Sequence, residues 1–512
     1  MSWILSAPVI IPFATAVLAF LFRRGPAGRW ISVAGSAALL VASGILMAEV
    51  LAQGVVATQM GGWPAPFGIT FVADLLSAVM VVITGITGLA VSVYALADID
   101  GRKEALGYHA LYQVLLAGVV GAFLTGDLFN LYVWFEVMLI SSFGLLILGG
   151  RKEQLDGGIK YVTLNLVSTI LFLSGVGLLY GMTGTLNMAD LHGAVREVDN
   201  PGLLVVIGIM FMVAFGVKAA LFPLFFWLPA SYHTPAFSVS AIFAGLLTKV
   251  GVYALIRVFT LIFTTDVAYT HTILLWVAGL TMVTGVLGAA AMNDFRRILS
   301  FHIVSQIGYM ILGLALYTPL AIVGAVFYLV HHIIVKANLF LVAGVAERIA
   351  GSTDLARIGG LYKTAPFLGL LFLIPAFSLA GFPPLSGFWA KYVLVKASLD
   401  AQAYVIAGVA LAVGMLTIYS MTKIWGLAFW KPHPAGMSPK LASLAPRDRV
   451  ALLLPIASLA VLTCIIGFFP EPFVVFAERA AEQLLDPTAY IVTVLGEMPE
   501  TAAGLAELEV TE

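Results

Sequence analysis

Two lysines, Lys218 and Lys249, stand in stretches of the sequence that are otherwise almost wholly apolar, and Glu136, Lys336 and Lys391 repeat the pattern elsewhere. A charged side chain at bilayer depth costs about 3 kcal/mol on insertion scales, so each must be paired, neutralised or used. Together the five read as groups that could carry an ion across a membrane. Glu136 lies mid-run in Asn130-Leu-Tyr-Val-Trp-Phe-Glu136-Val-Met-Leu-Ile. A carboxylate there keeps its charge only beside a cation, and Lys218 is the expected partner. The alternative is a static buried ion pair that only fixes helix packing. Lys249, in Gly245-Leu-Leu-Thr-Lys249-Val-Gly-Val-Tyr253, is too deep to snorkel. In Tyr328-Leu-Val-His-His-Ile-Ile-Val-Lys336, His332 and Lys336 are spaced i, i+4 and share one helical face. Histidine titrates near neutral pH, which suits a proton relay; the alternatives are a satisfied core histidine or a metal ligand, and no Asp, Glu or Cys sits at ligand spacing. His331 points off that face and is a secondary candidate.

Asp74 and Lys423 are secondary too. Asp74 opens a span and Asp127 another, positions where helix capping accounts for an aspartate. Arg257, Lys396 and Lys423 lie closer to span ends, where snorkelling or structural pairing suffices. Gly177 and Gly181 have the GxxxG spacing of close helix packing.

Composition sets the class. Of 512 residues 61% are hydrophobic and 10% charged, and a mean hydropathy of +1.03 excludes a water-soluble core. The chain is expected to be an all-α polytopic membrane protein. A net charge of −1 without a basic arm excludes nucleic-acid binding. The lone Cys464 excludes disulfides, a CxxC redox pair and a cysteine-ligated iron–sulfur cluster. No phosphate loop, nucleophile elbow or haem signature is present, so no cofactor, catalytic residue or metal site is expected. Trp3 to Phe22 lacks the positive leader region of a signal peptide and reads as a retained span.

About fourteen apolar runs are long enough to cross the hydrocarbon core. Loop charges test that count, because Lys and Arg should gather in alternate loops. Seventeen do so: Arg23, Arg24 and Arg29; Arg102 and Lys103; Arg151, Lys152 and Lys160; Arg296 and Arg297; Arg348, Arg357 and Lys363; Lys431, Lys440, Arg447 and Arg449. Only Arg196 and Arg479 fall on the other side, which puts both termini outside. The loop between the seventh and eighth spans has no Lys or Arg of its own. The tail from Glu471 carries nine acids against one arginine, and Phe473 to Leu485 reads as an amphipathic surface helix in a solvated tail or subunit contact.

Two spans look broken. Lys218-Ala-Ala-Leu-Phe-Pro223 leads to Trp227-Leu-Pro229, and Gly381-Phe-Pro383-Pro384-Leu-Ser-Gly387 leads to Lys391. Broken helices are tolerated at depth only against protein or a hydrated cavity. They fall in the seventh and twelfth spans, which run in opposite directions, so spans four to eight and nine to thirteen read as inverted repeats. The division expected is 1–100 as an N-terminal three-helix segment, 101–265 and 266–432 as the repeats, and 433–512 as a loop, last span and tail.

This set of motifs resembles the antiporter-like membrane subunits shared by respiratory complex I and Mrp-type cation/proton antiporters, over about residues 70 to 430. The resemblance implies fourteen spans in two inverted five-helix bundles, with discontinuous seventh and twelfth helices. It also implies that Glu136 and Lys218 are the family's gating pair, Lys249 and His332 its central relay, and Lys391 its twelfth-span exit group. Lysine at that last position, with the chain's length, places it nearer the D-type subunit of Mrp complexes. The resemblance thus implies a subunit of a hetero-oligomeric sodium/proton antiporter in a bacterial plasma membrane, with protons and sodium as transported ions. The alternative is a proton-pumping subunit of complex I or a related redox complex.

Overall fold

A computed structural model describes residues 3–434 and 444–496. Lys440 and the last acids of the tail lie outside the described residues. Among the described residues twelve helices are long and apolar enough to cross a membrane, and the shorter Tyr108–Leu124 and Pro366–Ala380 bring the spans to fourteen. The eighth (Phe237–Leu261), tenth (Phe295–Leu316) and eleventh (Pro319–Ala350) are the interior ones, with 94%, 94% and 89% of their apolar windows buried. The sixth (Lys152–Thr183) and ninth (Val267–Ala291) stand at 39% and form the rim. The residues that carry Lys249, His332 and Lys336 therefore sit in the middle of the protein.

The seventh span is helical over Pro201–Ala219 and restarts as the short helix Trp227–Ser231. The twelfth runs over Pro366–Ala380 and resumes at Ser386–Asp400. Both first halves stop in the same way. Ala220 and Gly381 adopt left-handed φ of 63° and 89°. One residue further on, Leu221 N–H donates to Gly216 O at 2.8 Å and Phe382 N–H to Phe377 O at 3.0 Å, the 6→1 bond of a Schellman cap. A cis proline follows each cap, at Phe222–Pro223 and Pro383–Pro384. Alanine pays roughly 1 kcal/mol for the left-handed conformation that glycine adopts freely. Ala220→Gly is therefore expected to raise the thermal denaturation midpoint of the detergent-solubilised protein; a lowered midpoint would show that Ala220 is not under this strain.

Two short backbone bridges repeat this symmetry at opposite ends of the molecule. Leu128 N–H donates to Leu186 O and Met188 N–H to Gly126 O, while Phe295 N–H donates to Thr353 O and Leu355 N–H to Asn293 O. The donors and acceptors of the second set each lie the same distance along the chain from those of the first. Asp127 and Asp294, which cap the fifth (Leu128–Ile147) and tenth spans, are equivalent in the same sense.

The arginine-bearing loops gather at one end. Arg29 pairs with Glu104 at 3.1 Å and Arg348 with Asp448 at 3.3 Å. The loop before the eighth span joins them, since Arg151 donates to Thr234 O and Arg296 to Pro235 O, each at 2.5 Å. That loop needs no cation of its own because neighbouring loops supply two.

Three features depart from expectation. A two-stranded antiparallel hairpin, Val56–Gln59 with Thr70–Ala73, fills the loop before the third span (Leu75–Asp98). The tail helix starts at Glu471 and a second, Thr488–Leu495, folds back onto the body. Gly177 and Gly181 meet nothing within 4 Å, so their spacing makes no close helix contact within this chain.

Candidate ion-translocating axis

The axis starts at Glu136 on the fifth span, whose first turn is held by Asp127 Oδ1 accepting from Asn130 N–H at 2.7 Å. Glu136 does not pair with Lys218, as the sequence led us to expect. Its Oε1 accepts from Thr169 Oγ1 of the sixth span at 2.7 Å, and Lys218 Nζ stands 5.5 Å over the Phe135 ring. A Thr hydroxyl one span away competes for the carboxylate, and Phe135 satisfies the ammonium through its π face. A cavity of about 20 Å³, lined by Phe135, Tyr161, Asn165, Lys218 and Trp227, lies beside them, room for a single water. The pair is thus open, with Glu136 still within electrostatic reach of Lys218.

Lys218 belongs to the last turn before the break, which Trp227 Nε1 ties back by donating to Val217 O at 3.0 Å. The eighth span presses directly on this break. A Cβ on Gly251 would stand 2.6 Å from Ala219 N, so only glycine lets the two backbones approach so closely two residues beyond Lys249. Before Lys249 the eighth span widens into a π-helical turn over Phe243–Leu247, a deviation found often at functional sites. Lys249 Nζ donates to the carbonyl of Ala244 within that turn.

From Lys249 the charge pattern passes to the eleventh span. His332 lies within electrostatic reach of Lys249, Lys336, His331 and His302. Lys336 Nζ donates to Leu299 O of the tenth span at 2.9 Å. At the far end Lys391 Nζ donates to Ala380 O, the end of the preceding half-helix, at 3.1 Å, and stands 5.0 Å over the Tyr309 ring.

Two histidines change standing. His331, secondary in the sequence because it points off the His332 face, faces the twelfth-span break instead: its Nδ1 bonds Ser386 Oγ at 2.8 Å, and Ser386 Oγ meets Ser378 Oγ at 2.9 Å. It therefore joins the break that carries Lys391 to the eleventh span. His302, which sequence reasoning passed over, is fully buried on the tenth span, bonds Ser420 Oγ at 2.9 Å and lies within electrostatic reach of Lys336 and Lys391. The available signal was a histidine well inside an apolar run, in Ser300-Phe-His302-Ile-Val-Ser-Gln306.

Lys423 and Lys396 are structural. Lys423 donates to Ala290 O and Met292 O, at 3.1 and 2.7 Å, and so caps the end of the ninth span. Lys396 reaches only the exposed Asp400, at 3.8 Å. Asp74 caps the third span and also pairs with Arg257 at 2.7 Å, both fully enclosed.

Along the axis several buried polar atoms have no protein partner among the described residues: Tyr232 OH, Thr248 Oγ1, both ring nitrogens of His332, His302 Nδ1 and His331 Nε2. Buried polar atoms are rarely left unbonded, and each of these could bond a water. The arrangement can pass protons between titratable groups set on five spans.

The family model described as NADH:quinone oxidoreductase/Mrp antiporter, TM, matches residues 125–417, which contain the whole axis. The D-type subunit of the Na(+)/H(+) antiporter of Alkalihalophilus pseudofirmus is 50% identical over 491 residues, covering 96% of this chain and 99% of its own. Its namesake from Bacillus subtilis is 42% identical over 493 residues, with coverage of 96% and 99%. A chain in the structure of the Mrp complex from Dietzia sp. superposes with a TM-score of 0.89 at 36% identity, covering 97% of this chain and all of that one.

Proposed function

This chain belongs to the NADH:quinone oxidoreductase/Mrp antiporter transmembrane family, and we propose that within it the chain is the proton-translocating subunit of a multisubunit sodium/proton antiporter. The observation that carries the reading is the succession of titratable groups set on the membrane spans, the half-buried Glu136 and Lys218 followed by the buried Lys249, His332 with Lys336, and Lys391, across both halves of the molecule. Lysine at position 391 and the antiporter names of its relatives support the antiporter over the redox-pump reading. The chain is a secondary transporter subunit. It lies in the bacterial plasma membrane with both termini outside, as the loop charges suggest, and divides at residues 100, 265 and 432.

The open pair is the switch. Two unit charges about 4 Å apart interact by about 4 kcal/mol at an effective dielectric constant of 20. When Glu136 leaves Thr169 and meets Lys218, that energy favours the charged lysine; when they part, Lys218 gives its proton toward Lys249. Each transfer alters the field at the next group, so a proton admitted at one end expels one at the other. Inward proton flow along this line drives sodium outward in the assembled complex.

The test uses everted vesicles holding the whole complex, a preformed proton gradient and a pH-sensitive dye. Added sodium chloride is expected to collapse the gradient. If sodium has no effect while a respiratory donor builds a gradient, the chain is a redox-pump subunit instead.

A further inference from the structure

The Asp74–Arg257 pair lies outside the axis, but it does not stand alone. Lys249, Tyr253 and Arg257 recur every fourth residue and therefore line one face of the eighth span, running from the central lysine to the end opposite the arginine-rich loops. Tyr253 OH donates to Phe123 O at 2.8 Å and lies 2.9 Å from Ser77 Oγ. Arg257 Nη2 reaches Asp74 Oδ2 at 2.7 Å, Ser77 Oγ at 3.3 Å and Tyr253 OH at 3.4 Å.

The C-terminal segment closes this cluster. Leu75 N–H donates to Gln483 Oε1 at 2.9 Å and Gln59 Nε2 to Val494 O at 3.3 Å, which pins the first tail helix to the start of the third span and the second to the hairpin. The ring of Tyr490 lies under the Arg257 guanidinium at 5.2 Å. Its hydroxyl is buried with no hydrogen-bond partner among the described residues, within electrostatic reach of Arg257, Tyr253, Asp74 and Asp127. A Cβ on Gly126, next to Asp127, would stand 3.2 Å from that hydroxyl. Asp127 is only half-buried, and burial pushes its carboxyl above the usual range.

An unpartnered buried hydroxyl destabilises a fold in which phenylalanine would pack equally well, so packing does not account for the oxygen of Tyr490. We propose that Asp127, Tyr490, Asp74 and Tyr253 form a second proton route, joining outer water to Lys249 through the first repeat, with the C-terminal segment as its cover. A proton bound by the Asp127 carboxylate passes to Tyr490, whose oxygen accepts it while releasing its own to the Asp74 carboxylate. Ser77 and Tyr253 exchange protons in the same manner. The Lys249 side chain, on a flexible four-carbon stem, swings from Ala244 O to take the last one. Arg257 stays protonated throughout and holds Asp74 in place.

This route rests on the proposed transport function, so the two must fail differently. Tyr490→Phe removes only the hydroxyl, and Asp127→Asn removes the titratable carboxyl while keeping a helix-capping residue. In vesicles holding the assembled complex, both variants are expected to slow sodium-driven gradient collapse at least fivefold, with Tyr490→Phe at least as thermally stable as the parent. Parental rates in both, beside a Lys218→Ala control that has lost transport, overturn the route and leave the transport function standing. Parental rates in the Lys218→Ala control, with both route variants slowed, overturn the axis and keep the route.

Discussion

Replacing Lys218 by alanine is expected to lower sodium-driven proton movement at least about 100-fold while the complex still assembles, equivalent to about 2.7 kcal/mol in the transport barrier. A positioned group that exchanges a proton is typically worth about 100-fold or more. In the line Lys218 joins Glu136 to Lys249 and is the member that the Glu136 carboxylate loads. Assembly should survive because the ammonium makes no ion pair that its loss would orphan: Glu136 keeps the Thr169 hydroxyl, and the ring of Phe135 loses only a cation at 5.5 Å. Removing an unpaired charge from a membrane span also relieves its desolvation cost. Lys218→Arg should not restore transport, since a guanidinium does not give up its proton. Initial rates of dye recovery, normalised to the amount of assembled complex, measure the effect. An assembled variant with a rate near the parent would remove Lys218 from the line.

A single added methyl group is expected to do more structural damage than that lost lysine. A Cβ on Gly387 would stand 1.8 Å from Ser378 O and 2.8 Å from His331 Cε1. The first of these is backbone, which has no rotamer by which to withdraw, and it belongs to the other half of the same broken span. Gly387→Ala should therefore part the two halves of the twelfth span, separate His331 from Ser386 and cost at least about 3 kcal/mol. Little assembled complex should be recovered in detergent. The matched control is Gly177→Ala, where nothing lies within 4 Å and alanine favours helix. Equal recovery of the two variants would mean that the twelfth-span junction yields without loss.

Much of this arrangement was readable from the chain because a membrane makes polarity conspicuous. Glu136, Lys218, Lys249, Lys336 and Lys391 stand out by burial cost alone, and the broken seventh and twelfth spans by proline and glycine beside lysine. What could not be read are choices made between elements. Helical spacing places His332 and Lys336 on one face, but it cannot say that His331, on another face, meets Ser386 at a break fifty-five residues later. It also cannot say that Thr169 reaches Glu136 before Lys218 does. Gly177 and Gly181 carry the spacing of a packed interface yet face outward, because a small-residue pattern does not specify which neighbour, if any, uses it. The tail shows the same limit: its acidic composition suggested a solvated segment or a subunit contact, whereas Gln483 and Tyr490 bring its described part onto the body of this chain.

The axis stands or falls on sodium and proton movement recorded together in vesicles holding the whole complex, with either the parent chain or Lys218→Ala. With the parent the two ions are expected to move in a fixed ratio, and in the variant both should stop together. Sodium and proton movement continuing at the parental ratio in an assembled Lys218→Ala complex would contradict a proton line through Lys218.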